Sequence, residues 1–412
     1  MFHKMKKVKA SDLLFYLSYI VFLVLSLVST TFWFQYISGT VNNTVKICCI
    51  LLLIIKELNA GKVTKSSIYG IFVCILISCL LFIVDSTQRN NYICLIIFLY
   101  AARNIDFDGI AKITIKVSIS FLIITIFSSQ VGIVNNYVDL LGGRERQFLG
   151  FLYALYPPTI YLNILLLIFY LRKQKIRWLE ILLFSMISYW LYLKTDSRLP
   201  FALSVCVIFF MAVMKYRPDM LVREKKIRFL LSFSFALFGA ASIILLLLYT
   251  SGSFFATAIN SIMENRIALA YDAFSQYGIS LFGNKFDMIG NGLNIYGENT
   301  SQLYLKYTYI DNLYLQLLLR YGAVFFALII VFFTLMSIRI AKVEIDGRLS
   351  IVMFILSSQA LVQDCFLSII SNTFIFLVGV YLMTSLCKLS KVYVNKISKK
   401  NLYTKKGARN GL

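Results

Sequence analysis

The chain has 412 residues, of which 59% are hydrophobic and only 15% are charged, and its formal net charge is +22. Ordinary soluble domains carry about 25% charged residues, whereas several uncharged apolar runs here reach the roughly 20 residues that cross a bilayer core. Composition therefore excludes an ordinary soluble domain. It predicts an all-α, polytopic integral membrane protein in which residues 1–412 form a single membrane domain.

Hydropathy predicts about twelve transmembrane helices along the chain. The first apolar run is too long for the apolar region of a signal peptide and has no small-residue cleavage site, so it is predicted to remain as the first helix. The second, fourth and eleventh segments are short or interrupted. The predicted spans are residues 13–34, 41–55, 67–84, 91–102, 114–131, 150–171, 178–193, 199–214, 229–249, 313–338, 349–363 and 366–387.

The loops between these spans fall into two alternating sets. Most lysines and arginines lie in one set, the basic loops, which includes the tails at residues 1–12 and 388–412. The positive-inside rule places this set, and so both termini, in the cytoplasm. Topology then accounts for the net charge, and no nucleic-acid partner is predicted. The alternate set, the outer loops, contains two long segments at residues 132–149 and 250–312, where function is expected.

The longer outer loop contains an amphipathic segment, ENRIALAYDAFSQYGISLFG at residues 264–283. Ile267, Ala270, Phe274 and Leu281 share one face at helical spacing. A helix of this kind between two spans is predicted to lie on the membrane surface as a lid, with its apolar face towards the lipid.

Arginines in the outer loops run against the positive-inside bias, so their presence there needs a reason. Guanidinium is permanently charged and suited to a bidentate grip on phosphate, which favours a diphosphate held at the outer surface. The alternative is that each arginine anchors a helix end or pairs with Glu145, Asp196 or Glu264 nearby. The candidate diphosphate-binding residues are Arg144, Arg146, Arg198, Arg266 and, inside the predicted tenth span, Arg320.

Asp311, in YIDNLYLQ, is the best-placed general base because it lies where the long outer loop meets the tenth span. A compatible alternative is that Asp311 and Asn312 cap the helix that follows. Tyrosines of the same region are candidates for stacking against sugar rings, although tyrosines also mark membrane interfaces. These candidate sugar-binding residues are Tyr271, Tyr277 and Tyr314.

No cofactor or metal site is predicted. The single histidine of the chain is His3, in the basic N-terminal tail. The eight cysteines lie in or beside predicted spans without a CxxC pair and are interpreted as small core residues. The sequence contains no nucleotide-binding, zinc-protease or serine-hydrolase motif.

Four segments resemble the Wzy-type polymerases of bacterial polysaccharide repeat units. NRIALAYDAFSQYGISLFG and YIDNLYLQLLLRYGAVFF are similar to parts of the late outer loop and the span that follows it in that family. GRERQFLGFLYALYPP resembles the family's arginine-containing segment at a mid-chain span, and TDSRLP resembles its short Ser-Arg turn. The resemblance implies a GT-C-like membrane glycosyltransferase of the bacterial cytoplasmic membrane, with its active site on the outer face.

The resemblance also implies a reaction. Undecaprenyl-diphosphate-linked units of a capsule, O-antigen or exopolysaccharide are joined by transferring the growing glycan to a hydroxyl of the incoming unit, without metal or nucleotide. Asp311, Arg198 and Arg266 are the expected catalytic residues. Implied partners are the lipid-linked oligosaccharide, membrane lipid, and a chain-length regulator and flippase of the same pathway.

Two other functions stay open at this point. One is a lipid-linked oligosaccharide flippase or other transporter of the same pathway, which would need polar residues along a path through the membrane. The other is the related O-antigen ligase. Such ligases resemble this chain in architecture but are associated with a histidine in the large loop, which this chain lacks.

Overall fold

The computed structural model describes residues 10–59, 65–84, 89–140, 145–217, 224–304, 306–344 and 346–383. Arg144 and the tail at residues 388–412 lie outside the described residues, as do the first nine residues of the N-terminal tail. The described chain is mostly helical. A small antiparallel sheet joins β1 (Val138–Asp139) to β2 (Arg146–Gln147) within the first long outer loop.

The helices follow the predicted spans in order, most of them with ends shifted by a few residues. They are α1 Ala10–Val28, α2 Gly39–Asn59, α3 Lys65–Val84, α4 Arg89–Ala101, α5 Phe107–Gln130, α6 Tyr156–Arg172, α7 Trp178–Thr195, α8 Arg198–Tyr216, α9 Lys225–Leu231, α10 Ser234–Thr250, α11 Phe254–Ile262, α12 Arg266–Tyr277, α13 Thr300–Leu303, α14 Leu313–Gln316 with a π-helical extension Leu317–Tyr321, α15 Ala323–Val343 and α16 Arg348–Gln359.

Four helices in the described ranges are long and apolar enough to cross a membrane: α1 over Ser11–Val28, α5, α8 and α15. Helices α9 and α10 together make a fifth candidate, bent by 45°. Large apolar side chains such as Leu13, Ile123 and Phe209 are exposed on the outward faces of these helices. An apolar belt of this kind marks a surface that meets lipid rather than water, and it indicates a membrane protein.

Helix α6 lies at the centre of the bundle. Every residue from Pro157 to Phe169 is buried, and the helix packs against α5, α7, α8 and α16. A helix surrounded by others has no face that must be polar, which explains its nearly continuous apolar sequence.

The predicted tenth span, residues 313–338, is divided into two pieces. Its first part is α14 with the π-helical extension, which stops at Gly322, where φ is +91°. The outer loop after α12 packs on this break, because Asn284 N donates to Arg320 O at 3.0 Å. Arg320 lies in the π-helical extension, directly before Tyr321 and the break at Gly322.

The predicted twelfth span, residues 366–387, is not one continuous helix over the part described, which ends at residue 383. The buried side chain of Asn163 on α6 forms hydrogen bonds with the backbone of this segment. Its Nδ2 donates to Ile370 O at 3.1 Å and its Oδ1 accepts from Thr373 N at 3.2 Å. A side chain that pairs backbone groups in this way allows non-helical chain inside a membrane protein. The segment forms short helical turns at Cys365–Leu367, Thr373–Phe376 and Gly379–Met383.

Loops of the same predicted set contact one another. Among the outer loops, Arg146 Nη2 donates to Asp196 O at 3.4 Å. Leu293 N of the long outer loop donates to Leu152 O near the start of the predicted sixth span, and Leu152 N donates to Thr30 O near the end of the predicted first span, both at 2.8 Å. Among the basic loops, Lys173 Nζ lies 3.2 Å from Asp346 Oδ2. The outer loops therefore share one structure, although they come from distant parts of the sequence.

Gly322 should be irreplaceable at the break before α15. A Cβ there would overlap backbone atoms of Leu281, Phe282 and Gly283, and its φ and ψ of +91° and 163° belong to a region that only glycine populates freely. We expect Gly322→Ala to lower the free energy of unfolding by about 2 kcal/mol or more. The control is Gly132→Ala, where φ is +80° but nothing lies within 4 Å, so only about 1 kcal/mol of backbone strain is expected. Thermal unfolding in detergent measures both, and equal losses would contradict the packing argument.

Candidate functional site

The centre of the site is an ion pair between two outer-loop residues. Arg266 Nε lies 3.2 Å from Asp311 Oδ2, and the side chains are only 20% and 17% exposed. Arg266 is the first residue of α12, and Asp311 directly precedes α14 and its cap. The pair joins the start of the amphipathic helix to the end of the long outer loop.

The start of α12 is held by a side chain of the preceding helix. Asn260 of α11 is 4% exposed, and its Oδ1 accepts hydrogen bonds from Ile267 N and Ala268 N, both at 3.0 Å. The first backbone N–H groups of a helix have no partner within the helix, so this contact acts as a remote cap. It orients the turn that carries Arg266.

Asp311 sits in surroundings that make its carboxylate a stronger base than usual. The pKa of Asp311 is raised to about 6, chiefly by burial; the positive charge of Arg266 opposes this rise, nearby Asp364 adds to it, and a hydrogen bond with Tyr307 opposes it. Asn312 supplies the helix cap, because its side chain accepts from Leu315 N at 3.2 Å. Asp311 therefore remains for other chemistry.

Asp364 is a second carboxylate at the site. Its Oδ2 accepts a hydrogen bond from Tyr309 Oη at 2.5 Å and one from Gln316 Nε2 at 3.0 Å. Burial raises the pKa of Asp364 even though these hydrogen bonds and the positive charge of Arg320 lower it. The same burial, together with Asp364, raises the pKa of the Tyr309 phenol. The second carboxylate is thus held firmly on one of its two oxygens.

Tyr153 connects Arg146 to the two carboxylates. Burial raises the pKa of Tyr153 to about 12, with Asp311 and Asp364 raising it and Arg146 and Arg266 lowering it. These four charged groups therefore all act electrostatically on one phenol. Arg146 itself lies on β2. Its Nη2 donates to Asp196 O at 3.4 Å, and its buried Nε has no hydrogen-bond partner among the described residues.

Arg198 and Arg320 lie at the edges of this cluster. Arg198 is the first residue of α8 and lies 3.4 Å from Glu264, two residues before Arg266, with both side chains about half exposed (58% and 46%). The positive charge of Arg320 lowers the pKa of Asp364. Its guanidinium lies 5.6 Å from the centre of the Tyr321 ring. Arg198 therefore forms the ion pair with Glu264 that the sequence offered as an alternative to diphosphate binding. Because the pair is about half exposed, it is compatible with a diphosphate-binding role for Arg198.

The predicted sugar-stacking tyrosines lie away from the carboxylates. Tyr314 is 1% exposed and donates from Oη to Ser357 O at 2.9 Å, so it belongs to the core and offers no surface to a sugar ring. Tyr277 stacks on Phe286 with ring centroids 5.0 Å apart, and Tyr271 meets Tyr249 edge to face.

The residues that sequence reasoning did not assign to the site are Tyr153 and Gln316. Tyr153 lies within the arginine-containing segment GRERQFLGFLYALYPP, and Gln316 is a lone amide in an apolar run. An amide placed within a predicted span was the available signal, since such a group needs a hydrogen-bonding partner.

The apolar face of α12 packs on protein rather than on the membrane surface. Ile267 is 2% exposed and Ala270 0%, and Ala270 packs with Leu246 of α10 and Leu319 of the π-helical extension. Leu281 lies beyond the end of the helix and is 64% exposed. The prediction that this face rests on lipid as a lid was therefore wrong for its first half, because α10 and α14 already cover it.

The residues of the site fit anions better than metal ions. In the ranges that the structure covers, no three His, Cys, Asp or Glu side chains are grouped as a metal site requires. Arg266 instead presents its guanidinium beside Asp311, a carboxylate whose pKa is raised by burial, and Arg146 adds a second positive charge that acts on Tyr153. This arrangement can hold a phosphate and accept a proton from a hydroxyl next to it.

Comparison with known proteins finds no family model, no characterised protein and no solved structure that matches the chain. The function must therefore be argued from the site and the topology of the chain itself.

The pKa of Asp311 should respond to Arg266 and not to Arg198. Arg266 stabilises the ionised carboxylate, so Arg266→Gln is expected to move the midpoint of ionisation upward from about 6. The control, Arg198→Gln, removes an arginine that pairs with Glu264 instead and should leave the midpoint unchanged. Infrared difference spectra over a pH series, with Asp311→Asn to assign the band, measure it. A wild-type midpoint near the ordinary 3.8 would show that burial does not act on this carboxyl as described.

Proposed function

We propose that the chain is a metal-independent glycosyltransferase that polymerises oligosaccharide repeat units carried on undecaprenyl diphosphate. The observation that carries the proposal is the Arg266–Asp311 pair in the cluster with Arg146 and Asp364. An anion-binding group and a base stand side by side in an outer loop, as transfer of a glycan from a diphosphate to a hydroxyl requires. The resemblance of four sequence segments to Wzy-type polymerases supports the same reaction.

The proposed mechanism uses the charges in a fixed order. Arg266 and Arg146 hold the diphosphate, with Arg198 at the edge, and stabilise negative charge as the bond from the sugar to the diphosphate breaks. Asp311 takes the proton of the acceptor hydroxyl as that oxygen forms the new glycosidic bond, and later releases it to water. When the diphosphate draws Arg266 towards itself, Asp311 loses part of its positive neighbour and becomes more basic. Binding of the leaving group therefore activates the base.

The finer architecture belongs to this proposal as well. We infer a GT-C-like fold of about twelve spans in the bacterial cytoplasmic membrane, with both termini in the cytoplasm and the site on the outer face. The charge asymmetry of the loops supports this orientation, since the two sets contact separately and the arginine cluster belongs to the less basic set.

A flippase is supported less well. Of the charged residues predicted inside spans, Glu180 lies in the first turn of α7, where it forms an ion pair with Arg172 at 2.6 Å, and Arg320 belongs to the segment before the Gly322 break. Lys46 lies within α2, where its Nζ donates to Asn91 Oδ1 at 2.6 Å. Two of the three positions lie at helix ends, and a single charged side chain within a span does not form a path through the membrane.

Purified protein in detergent should elongate lipid-linked repeat units. A polymerase needs no sealed compartment, so product longer than one repeat is expected without a bilayer, whereas a flippase acts only across one. Gel separation of the released glycans measures chain length. Active repeat-unit transport in vesicles combined with no elongation in detergent would overturn the proposal in favour of the transporter.

Single substitutions at the ion pair should abolish long product while the protein still accumulates. We expect Arg266→Ala and Asp311→Asn each to reduce elongation by about 100-fold or more, the usual effect of losing an electrostatic or acid–base group. Arg172→Ala is the matched control, because it breaks an exposed arginine–carboxylate pair (2.6 Å) in the basic loops and should leave elongation near wild type. Wild-type polymer length from the Arg266 and Asp311 variants would remove both residues from the mechanism.

A further inference from the structure

Helix α11 carries the two most exposed large apolar side chains among the described residues, Phe254 and Ile262, together with exposed Phe255. Phe254 is 89% exposed, Ile262 81% and Phe255 61%. At about 100° per residue these three side chains and exposed Ala258 fall within an arc of about 100° on one side of the helix. This surface, Phe254–Phe255–Ala258–Ile262, is called the apolar sector of α11.

The remaining sides of α11 are different in kind. Ala256 is 0% exposed and Asn260 4%, and Asn260 holds the first turn of α12 through the two hydrogen bonds described above. Thr257 is exposed and lies about 160° around the helix from Phe255, whereas exposed Ser261 lies about 20° from Phe254, at the border of the apolar sector. The helix thus has an apolar sector, a polar sector and a sector packed on protein.

Three sectors of this kind are expected where lipid, water and protein meet. A short amphipathic helix lies in the plane of a membrane surface with its apolar side among the acyl chains and its polar side in water. The apolar sector also continues the surface of α10, which ends at Thr250 and exposes Leu237, Ile244 and Leu247. Helix α10 belongs to the bent candidate span, so the same lipid phase reaches both helices.

We propose that α11 lies in the membrane surface with Phe254, Phe255 and Ile262 inserted among lipid acyl chains, and that it holds the Arg266–Asp311 pair at the depth of the lipid headgroups. Lipid contact by α11 stands on the exposure and spacing of its own residues. Its use in presenting a lipid-linked diphosphate rests on the proposed function.

The connection from lipid to site is short. Asn260 is on α11 and contacts the turn that begins with Arg266, so a displacement of α11 moves the guanidinium that faces Asp311. A diphosphate joined to a membrane lipid sits at headgroup depth, and its phosphates would then meet Arg266 without leaving the membrane surface. This position for α11 replaces the expectation that α12 itself lies on the lipid.

The test compares two small, exposed residues on the same helix. A fluorescent amino acid is encoded at Ala258, in the apolar sector, or at Thr257, in the polar sector, of the full chain in lipid nanodiscs. Lipids with brominated acyl chains should quench the label at position 258 several-fold more than the label at 257. Aqueous iodide should quench in the opposite order. Encoding the label leaves the native cysteines in place.

Equal quenching at the two positions by brominated lipid, or the reversed order, would overturn the proposal. If the label at Ala258 prevents folding, a label at Phe255 is compared with the label at Thr257 instead. Brominated lipid should again quench the apolar-sector label more strongly. The quenching needs no catalysis, so its failure is distinguishable from failure of the proposed function. If aqueous iodide quenches the label at position 258 in a protein that elongates glycans, only the lipid contact is rejected. If brominated lipid quenches this label in a protein that never elongates glycans, the lipid contact is supported and the polymerase function is not.

Discussion

The site depends on one buried ion pair, Arg266 with Asp311. Taking a guanidinium and a carboxylate out of water costs free energy that their attraction does not always repay, so such a pair is weak as a stabilising device. The structure nevertheless braces both partners. Asn260 fixes the turn of Arg266, and Asn312 caps the helix beside Asp311, leaving the carboxylate unused for capping. A pair that is costly and well supported is better explained by chemistry than by stability.

The surrounding charges explain why Asp311 remains a useful base beside an arginine. An adjacent guanidinium alone would hold a carboxyl pKa below its ordinary value. Burial and the second carboxylate, Asp364, act in the opposite direction and raise it to about 6. The site therefore combines a guanidinium group with a carboxylate whose pKa is higher than that of a surface aspartate. Neither property would survive if the loop opened fully to water, since solvent would screen both.

The sequence predicted the features that depend on composition and on local order. Hydropathy located most helices, loop charge separated two sets of loops that do contact among themselves, and the arginines against the charge bias included Arg146 and Arg266. Asp311 was chosen for its position at the end of the long loop. These inferences needed only the span pattern and the chemistry of single residue types.

Features that depend on contacts between distant segments were not predictable. Nothing near Asn163 in sequence indicates that its side chain hydrogen-bonds to the backbone of residues 370–373, where the last predicted helix is interrupted. Tyr314 has the same local sequence pattern as an interfacial tyrosine, yet its hydroxyl donates a hydrogen bond to the backbone carbonyl of Ser357 on α16, in the core. The apolar face of α12 likewise had the spacing of a membrane-bound helix, and only the position of α10 shows that protein covers it.

The break at Gly322 connects these parts of the site into one unit. The loop that follows α12 pairs with the chain on both sides of the break, Asn284 with Arg320 and Ser280 with Ala323. The segment between Arg266 and Asp311 is therefore held at its start, on α11 through Asn260, and near its middle, beside the break through this loop. A continuous tenth helix would offer no such attachment, because its backbone groups would be paired internally. Interrupting the helix is thus what allows a long outer loop, otherwise free to move, to hold a guanidinium within 3.2 Å of a carboxylate.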